Sequence, residues 1–333
     1  MNQKRWIALI VAAVLFLASI GFQVLSSVAT TDFESMFNFQ DPEDKFGEKV
    51  VEKGSSANKI AVLHLDGVIQ DTTPSTVFNT NSYNHQRFLD MLDKAGEDNR
   101  VNGIILRVNT PGGGVVESDQ IHDKILEIQE KYEKPIYVSM GNTAASGGYY
   151  IAAPADKIVA HNATLTGSIG VIMESFNFAE FADEQGIDFN TIKSGEYKDI
   201  MSMSRKMTDD EREILQAMID DMYADFVEVI VDGRDMSEDR VRELGDGRVY
   251  TGAQAQEVEL VDELGSLDDT IEMMREDQEL GNAQVIEYEP GMNINKWIGG
   301  SVQSMFGSES DLIGIKDLLR ENNAPRAMYL YSQ

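Results

Sequence analysis

Cysteine is absent from the 333 residues. Its absence excludes disulfides, zinc–thiolate sites, a thiol nucleophile and a lipoprotein anchor. Histidine is nearly absent, with four copies, so histidine-based chemistry has few candidate members. Positive charge is scarce as well: 28 Lys and Arg stand against 57 Asp and Glu, a net charge of −29. Such a field opposes nucleic acid and anionic lipid as partners. The acidic residues are spread along the chain rather than clustered, which suits solvation in salty or alkaline surroundings. Hydrophobic residues nevertheless make up 42% of the chain, enough for a sizeable core over most of its length.

Charge is also missing between Arg5 and Asp32. The run WIALIVAAVLFLASIGFQVLSSVAT exceeds the roughly 20 residues that span a bilayer. Lys4 and Arg5 before it place the N-terminus in the cytoplasm and the remainder outside the cell membrane. Residues 1–29 therefore read as a single-pass anchor. A cleaved signal peptide ending at Ser27-Val28-Ala29 is the alternative, although the run is long for an apolar core of about 7–15 residues. Residues 30–58 are polar, acidic and weakly periodic, and read as a linker. A globular region over 59–290 and a C-terminal segment with tail over 291–333 complete the organisation.

Within the globular region, strand patterns at 59–69, 101–109, 135–140, 156–160, 167–173 and 188–195 alternate with helical spacing at 85–98, 115–134 and near 177–186. The near-continuous apolar run VNGIILRVN is expected of a strand buried on both faces. This alternation implies an α/β fold with a largely parallel sheet. Thr208 and the acidic turn after it open a long helix over 208–234, followed by two shorter helices, a helical extension of the sheet. Residues 295–306 are modestly amphipathic.

Two glycine-rich stretches follow strands. In NTPGGG (109–114) the glycines let backbone N–H groups approach a ligand, or simply make a tight turn. No Gly-Lys-Ser/Thr follows, so a phosphate loop is unsupported. In NTAASGGYYIAAPAD, Ser146 sits among small residues at the start of a half-helix that stops at Pro154. Ser146 is either a nucleophile or a small N-capping residue. The amides of Gly113 and Gly147 would make a two-donor oxyanion hole. No histidine lies within ten residues of Ser146, and His161 is fifteen residues away. Lys198, in the irregular stretch KSGEYKD, is the stronger candidate base, against the plain reading of a solvated charge. A free lysine, with a pKa near 10.4, is almost wholly protonated at neutral pH. Desolvation can lower such a pKa by about 3–5, enough to populate the base. A hydroxyl from Ser168 in LTGSIG could orient the amine.

Taken in order, NTPGGG, TAASGGYYIAAPAD, LTGSIGV and KSGEYKD resemble the SppA-type signal peptide peptidases in their short, single-repeat form. The resemblance covers roughly residues 1–270 and includes the N-terminal anchor. It implies a ClpP/crotonase-like fold and a membrane-anchored serine protease with a Ser–Lys dyad. Ser146 would be nucleophile, Lys198 general base and Ser168 the lysine-orienting group, with Gly113 and Gly147 forming the oxyanion hole. No cofactor or metal is implied. The implied substrates are released signal peptides and other unfolded apolar peptides, cut outside the membrane. Because the second repeat of longer members is missing, the resemblance also implies a homo-oligomeric ring or dome, with an octamer the suggested state. A crotonase-like acyl-CoA enzyme, an inactive scaffold and a Ser–His–Asp protease using His161 are the competing expectations. The ending APRAMYLYSQ, small and apolar with no helical pattern, is expected to reach the cleft and be trimmed there.

Overall fold

Alternate strands and helices generate a main sheet whose strand ends face the glycine-rich turns, and a separate two-stranded sheet beside it. A computed structural model describes residues 46–71, 83–290 and 327–331. Apart from Phe46, Gly47 and Pro290, these belong to a single unit. The anchor and the amphipathic stretch at 295–306 lie outside the described residues.

The strands are β1 (Phe46–Glu52), β2 (Ser55–Asp66), β3 (Val101–Thr110), β4 (Gly112–Gly114), β5 (Ile136–Ala145), β6 (Lys157–Ala160), β7 (Leu165–Gly167), β8 (Val249–Thr251), β9 (Glu263–Leu264), β10 (Ala283–Pro290) and β11 (Met328–Leu330). The helices are α1 (His85–Glu97), α2 (Val115–Tyr132), α3 (Gly147–Tyr150), α4 (Ala179–Glu184), α5 (Asp209–Arg234), α6 (Glu238–Leu244), α7 (Gly252–Glu257) and α8 (Leu267–Asp277). The main sheet runs β1-β10-β2-β3-β5-β6-β9, with β7 paired to β5 and β8 to β7. Its pairings from β10 through β9 are parallel, and so is β5–β7; β7–β8 is antiparallel. The expected α/β fold with a largely parallel sheet is therefore observed. A parallel sheet needs both faces covered, and the central strands comply: Ile104, Ile105, Leu106 and Val108 of β3 are all fully buried.

Local chemistry sets the helix ends. Thr208 accepts from the Glu211 amide, and the Glu211 carboxylate accepts from the Thr208 amide, a capping box that starts α5. Asn84 caps α1 through its side-chain oxygen, which accepts from the Arg87 amide.

Three stretches differ from the expectations. β1 and the first residues of β2 occupy part of the stretch read as linker. Of the strand expected over 167–173 only Gly167 lies in a regular strand, β7 (Leu165–Gly167), with Ile172 forming an isolated bridge. Residues 188–195 form no strand: Phe189 and Ile192 are exposed, and no strand among the described residues pairs with them.

Candidate active site

β5 ends at Ala145, and Ser146 turns the chain into α3 with φ 53° and ψ −116°. Such a conformation costs a non-glycine residue on the order of 1–3 kcal/mol. Its surroundings hold it there. The Ser146 amide donates to the Gly167 carbonyl at 2.7 Å, and its own carbonyl accepts from Tyr149 and Tyr150 at 2.8 and 2.9 Å. The serine is 1% exposed.

β4 lies alongside, and its glycines are required by close approach. Gly112 has φ +102°, and a Cβ on Gly113 would overlap the Ile69 carbonyl oxygen. Ile69 donates to Gly112 O at 2.8 Å and accepts from Gly114 N at 2.8 Å. Because strand residues alternate in direction, the N–H and C=O of Gly113 face away from Ile69.

What they face is the chain's own tail. β11 runs antiparallel to β4, with Tyr329 opposite Gly113. On its other side, Met328 exchanges both backbone hydrogen bonds with Ile172, at 3.0 and 3.1 Å. Tyr331 then donates to Pro111 O at 2.8 Å. The tail is thus an inserted strand between β4 and Ile172, the geometry of β-strand addition. A methyl placed on Gly147 would sit 3.2 Å from both the Gly113 nitrogen and the Tyr329 carbonyl oxygen, and 2.6 Å from Ser118 Oγ. The carbonyl of Tyr329 therefore lies beside Gly113 and Gly147, next in sequence to Ser146.

Tyr329's side chain fills a pocket. Its ring is fully buried, stacked on Tyr150 (4.9 Å between centroids, 24°) and tilted against Phe226 (4.7 Å). Its hydroxyl donates to the Met222 carbonyl at 3.0 Å. Met222 and Phe226 are one turn apart on α5, so they share a face.

Comparison with known proteins fits this geometry. The sequence pattern of peptidase family S49 matches residues 128–281. A protein of Enterococcus faecium with the provisional name signal peptide peptidase SppA is 38% identical over 99% of both chains. Protease 4 of Haemophilus influenzae is 36% identical over 64% of this chain and 34% of its own. The chloroplastic serine protease SPPA of Arabidopsis thaliana is 29% identical over 79% of this chain and 39% of its own.

The chain belongs to the SppA-type S49 peptidases. It is a serine protease.

In this S49 peptidase the other candidate residues are placed unequally. Ser168, half-buried with φ 49°, directly follows Gly167, the residue that holds the Ser146 amide. It lines a cavity of about 510 Å³ together with Ile172, Tyr223 and Leu330. Lys198 is exposed, and its backbone N–H donates to Gly195 O at 3.3 Å. Among the described residues no hydrogen bond or ion pair holds its amine, and none joins it to Ser146 or Ser168. The segment around it is organised by other charges. Lys193 binds Asp199 at 2.6 Å, and Arg205 bridges Asp199 to Glu211. Arg205 holds both carboxyls below their usual range, Glu211 at about 2.

The histidines are engaged elsewhere. His64 meets Glu287, and His85 lies between Tyr83 and Gln120. His122 packs edge-on against Tyr150, and His161 accepts from the Ala163 amide. Among the described residues one group could hold a metal ion, Asp119, His122 and Asp123 on α2, with ligand atoms within 4.8 Å of one another. It lies outside the serine site. The side-chain pocket of Tyr150, Phe226 and Met222 went unnoticed in the sequence. Its available signals were the aromatic pair after Ser146-Gly147-Gly148 and the aromatic ending Tyr329-Leu330-Tyr331.

Proposed function

We propose that this serine protease is a membrane-anchored endopeptidase that hydrolyses released signal peptides and other unfolded apolar peptides outside the cytoplasmic membrane. The observation that carries the reading is the tail bound as a strand, with the Tyr329 carbonyl beside the Gly113 and Gly147 backbone. An extended peptide in this groove gains main-chain hydrogen bonds on both edges, which suits unfolded substrates and excludes folded ones. The name of the E. faecium relative supports signal peptides as the class. The charge-free run before Asp32 supports the anchor, and the parallel sheet with its glycine-rich strand ends suits a ClpP/crotonase-like fold.

In this reading Ser146 is the nucleophile and Lys198 the general base, with Ser168 orienting the amine. The exposure of Lys198 supports an arrangement in which a neighbouring copy supplies it. Its segment carries exposed apolar side chains, Phe176, Phe181, Ile192 and Met203 among them, and Phe176 is 87% exposed. Apolar surface of this kind calls for a partner. A homo-oligomeric ring or dome would bury it and bring each lysine to the next copy's serine, and an octamer is one such closed state.

The chemistry is acyl transfer. The neutral amine takes the Ser146 proton as the hydroxyl oxygen attacks the peptide carbonyl carbon. The amides of Gly113 and Gly147 stabilise the resulting oxyanion, a donor of this kind being worth about 3–4 kcal/mol. The ammonium then protonates the leaving amine, and the peptide bond breaks to give an acyl-enzyme. Water attacks that ester by the same route, restoring Ser146 and releasing the acid.

Applied to the tail, the scheme places the scissile bond after Tyr329. Intact mass of purified protein tests it. Wild type is expected to lose Leu330–Gln333, whereas Ser146→Ala keeps them. Identical C-termini in the two proteins would contradict the substrate-like pose.

A further inference from the structure

The strand that delivers Ser146 is broken before it arrives. Val108 of β3 pairs with Met140 of β5, and Thr110 with Ala144, so residues 141–143 of β5 stand opposite Asn109 alone. We propose that Asn109 is a positioning residue of this protease: its side chain fixes the bulge that aims Ser146 and ties it to the segment that braces Gly113. The inference rests on Ser146 and Gly113 acting as proposed above.

A bulge leaves backbone groups without strand partners and re-aims the chain beyond it. Here side chains take up those groups. Asn109 Oδ1 accepts from the amides of Asn142 and Thr143, at 3.1 and 3.3 Å. The Gly141 carbonyl accepts from Thr164 Oγ1 at 2.7 Å. Glycine suits position 141 because a Cβ there would lie 2.8 Å from Asn109 Cβ. The bulge also changes the partner of β5. Before it, residues 137–139 pair with β6; beyond it, residues 143–145 pair with β7. That second pairing runs on into the bond from the Ser146 amide to Gly167 O, which holds the strained serine.

The same residue reaches the other wall of the site. Asn109 Nδ2 donates to Asp66 Oδ1 at 3.2 Å, at the end of β2. The Asn109 carbonyl accepts from Gly67 N at 3.1 Å, where φ is +94° and the chain turns. Two residues later Ile69 bonds Gly112 and Gly114, on either side of Gly113. Asn109 thus joins the element carrying Ser146 and Gly147 to the one holding Gly113. The position needs an acceptor for two N–H groups and a donor for a carboxylate. A primary amide offers both, whereas a carboxylate offers acceptors only.

The test measures kcat and KM for one extended peptide on the full chain, with active sites counted by a serine-directed phosphonate. Asn109→Ala should lower kcat per counted site by about tenfold to a hundredfold, the scale of a small misplacement of reacting groups. KM should stay within about twofold. Asn109→Asp keeps the acceptor for both amides but sets a carboxylate against Asp66, and should lose about tenfold in kcat. Adding Asp66→Asn places a donor opposite that carboxylate, and should return kcat to within about threefold of wild type. A purely structural role would lower the melting midpoint or the number of counted sites and leave kcat per site unchanged. Unchanged kcat per site in the Asn109 variants, or a double variant no better than Asn109→Asp, overturns the inference. If Asn109→Ala fails to fold, the comparison of Asn109→Asp with the double variant decides it. In either case loss of cleavage in Ser146→Ala upholds the functional reading, whereas cleavage that survives Ser146→Ala overturns both.

Discussion

Ser146 occupies a backbone conformation, φ 53° and ψ −116°, that glycine adopts far more readily than any L-residue. In the proposed mechanism this strain is retained at the position of the nucleophilic hydroxyl, beside the Gly113 and Gly147 amides that would receive the oxyanion. Replacing the serine therefore separates function from stability. Ser146→Gly should be more stable than Ser146→Ala by about 1–2 kcal/mol, because alanine keeps the Cβ that the conformation disfavours. Urea denaturation of the two inactive variants measures the difference, and equal stabilities would mean that the position is unstrained. This part of the site was legible in the sequence: small residues around Ser146 and glycines in NTPGGG signal close backbone approach. The strain was not legible, since it arises from the bond between Ser146 and Gly167 on a separate strand. Nor was the Tyr150–Tyr329 stack, which joins residues far apart in the chain.

At the scale of elements, β3, α2 and α5 were legible because their own periodicity or caps define them. β10 was not, because it pairs with β2 through long-range parallel bonds that leave no turn signal nearby. The stretch 188–195 misleads for the opposite reason. Its Phe189, Thr191 and Ile192 are residue types that favour strands, yet the apolar members are exposed. What shapes this stretch is the cluster of Lys193, Asp199, Arg205 and Glu211. Its acids have depressed pKa values, so their contribution is fully present above the ordinary carboxyl range near 4. It is lost as pH falls through their folded values, about 2 for Glu211. Pepsin should then nick the 188–208 segment at pH 2 but spare it at pH 4, and Arg205→Ala should be nicked at both. Equal nicking of wild type at the two pH values would mean the cluster does not organise the segment.

For the whole molecule, the proposed ring gives the exposed apolar side chains and the unengaged Lys198 amine one common explanation, a neighbouring copy. The −29 charge disfavours nucleic acid as the cover, whereas a second copy of the chain in the proposed ring would bury that apolar surface and complete the site together. Heterologous contacts that close into a ring repeat this at every junction. The family resemblance, not the residues alone, marked Ser146 and Lys198 as a pair, and a chain read alone carries no sign of the division between copies proposed above.

The most direct measurement mixes two inactive proteins. Ser146→Ala and Lys198→Ala should each lack peptide hydrolysis alone. Unfolded together and refolded as mixed assemblies, they should regain about a quarter of wild-type activity, since random placement pairs an intact serine with an intact neighbouring lysine at that fraction of junctions. Activity in Lys198→Ala alone would contradict the dyad, and mixed assemblies with no activity would contradict its division between copies.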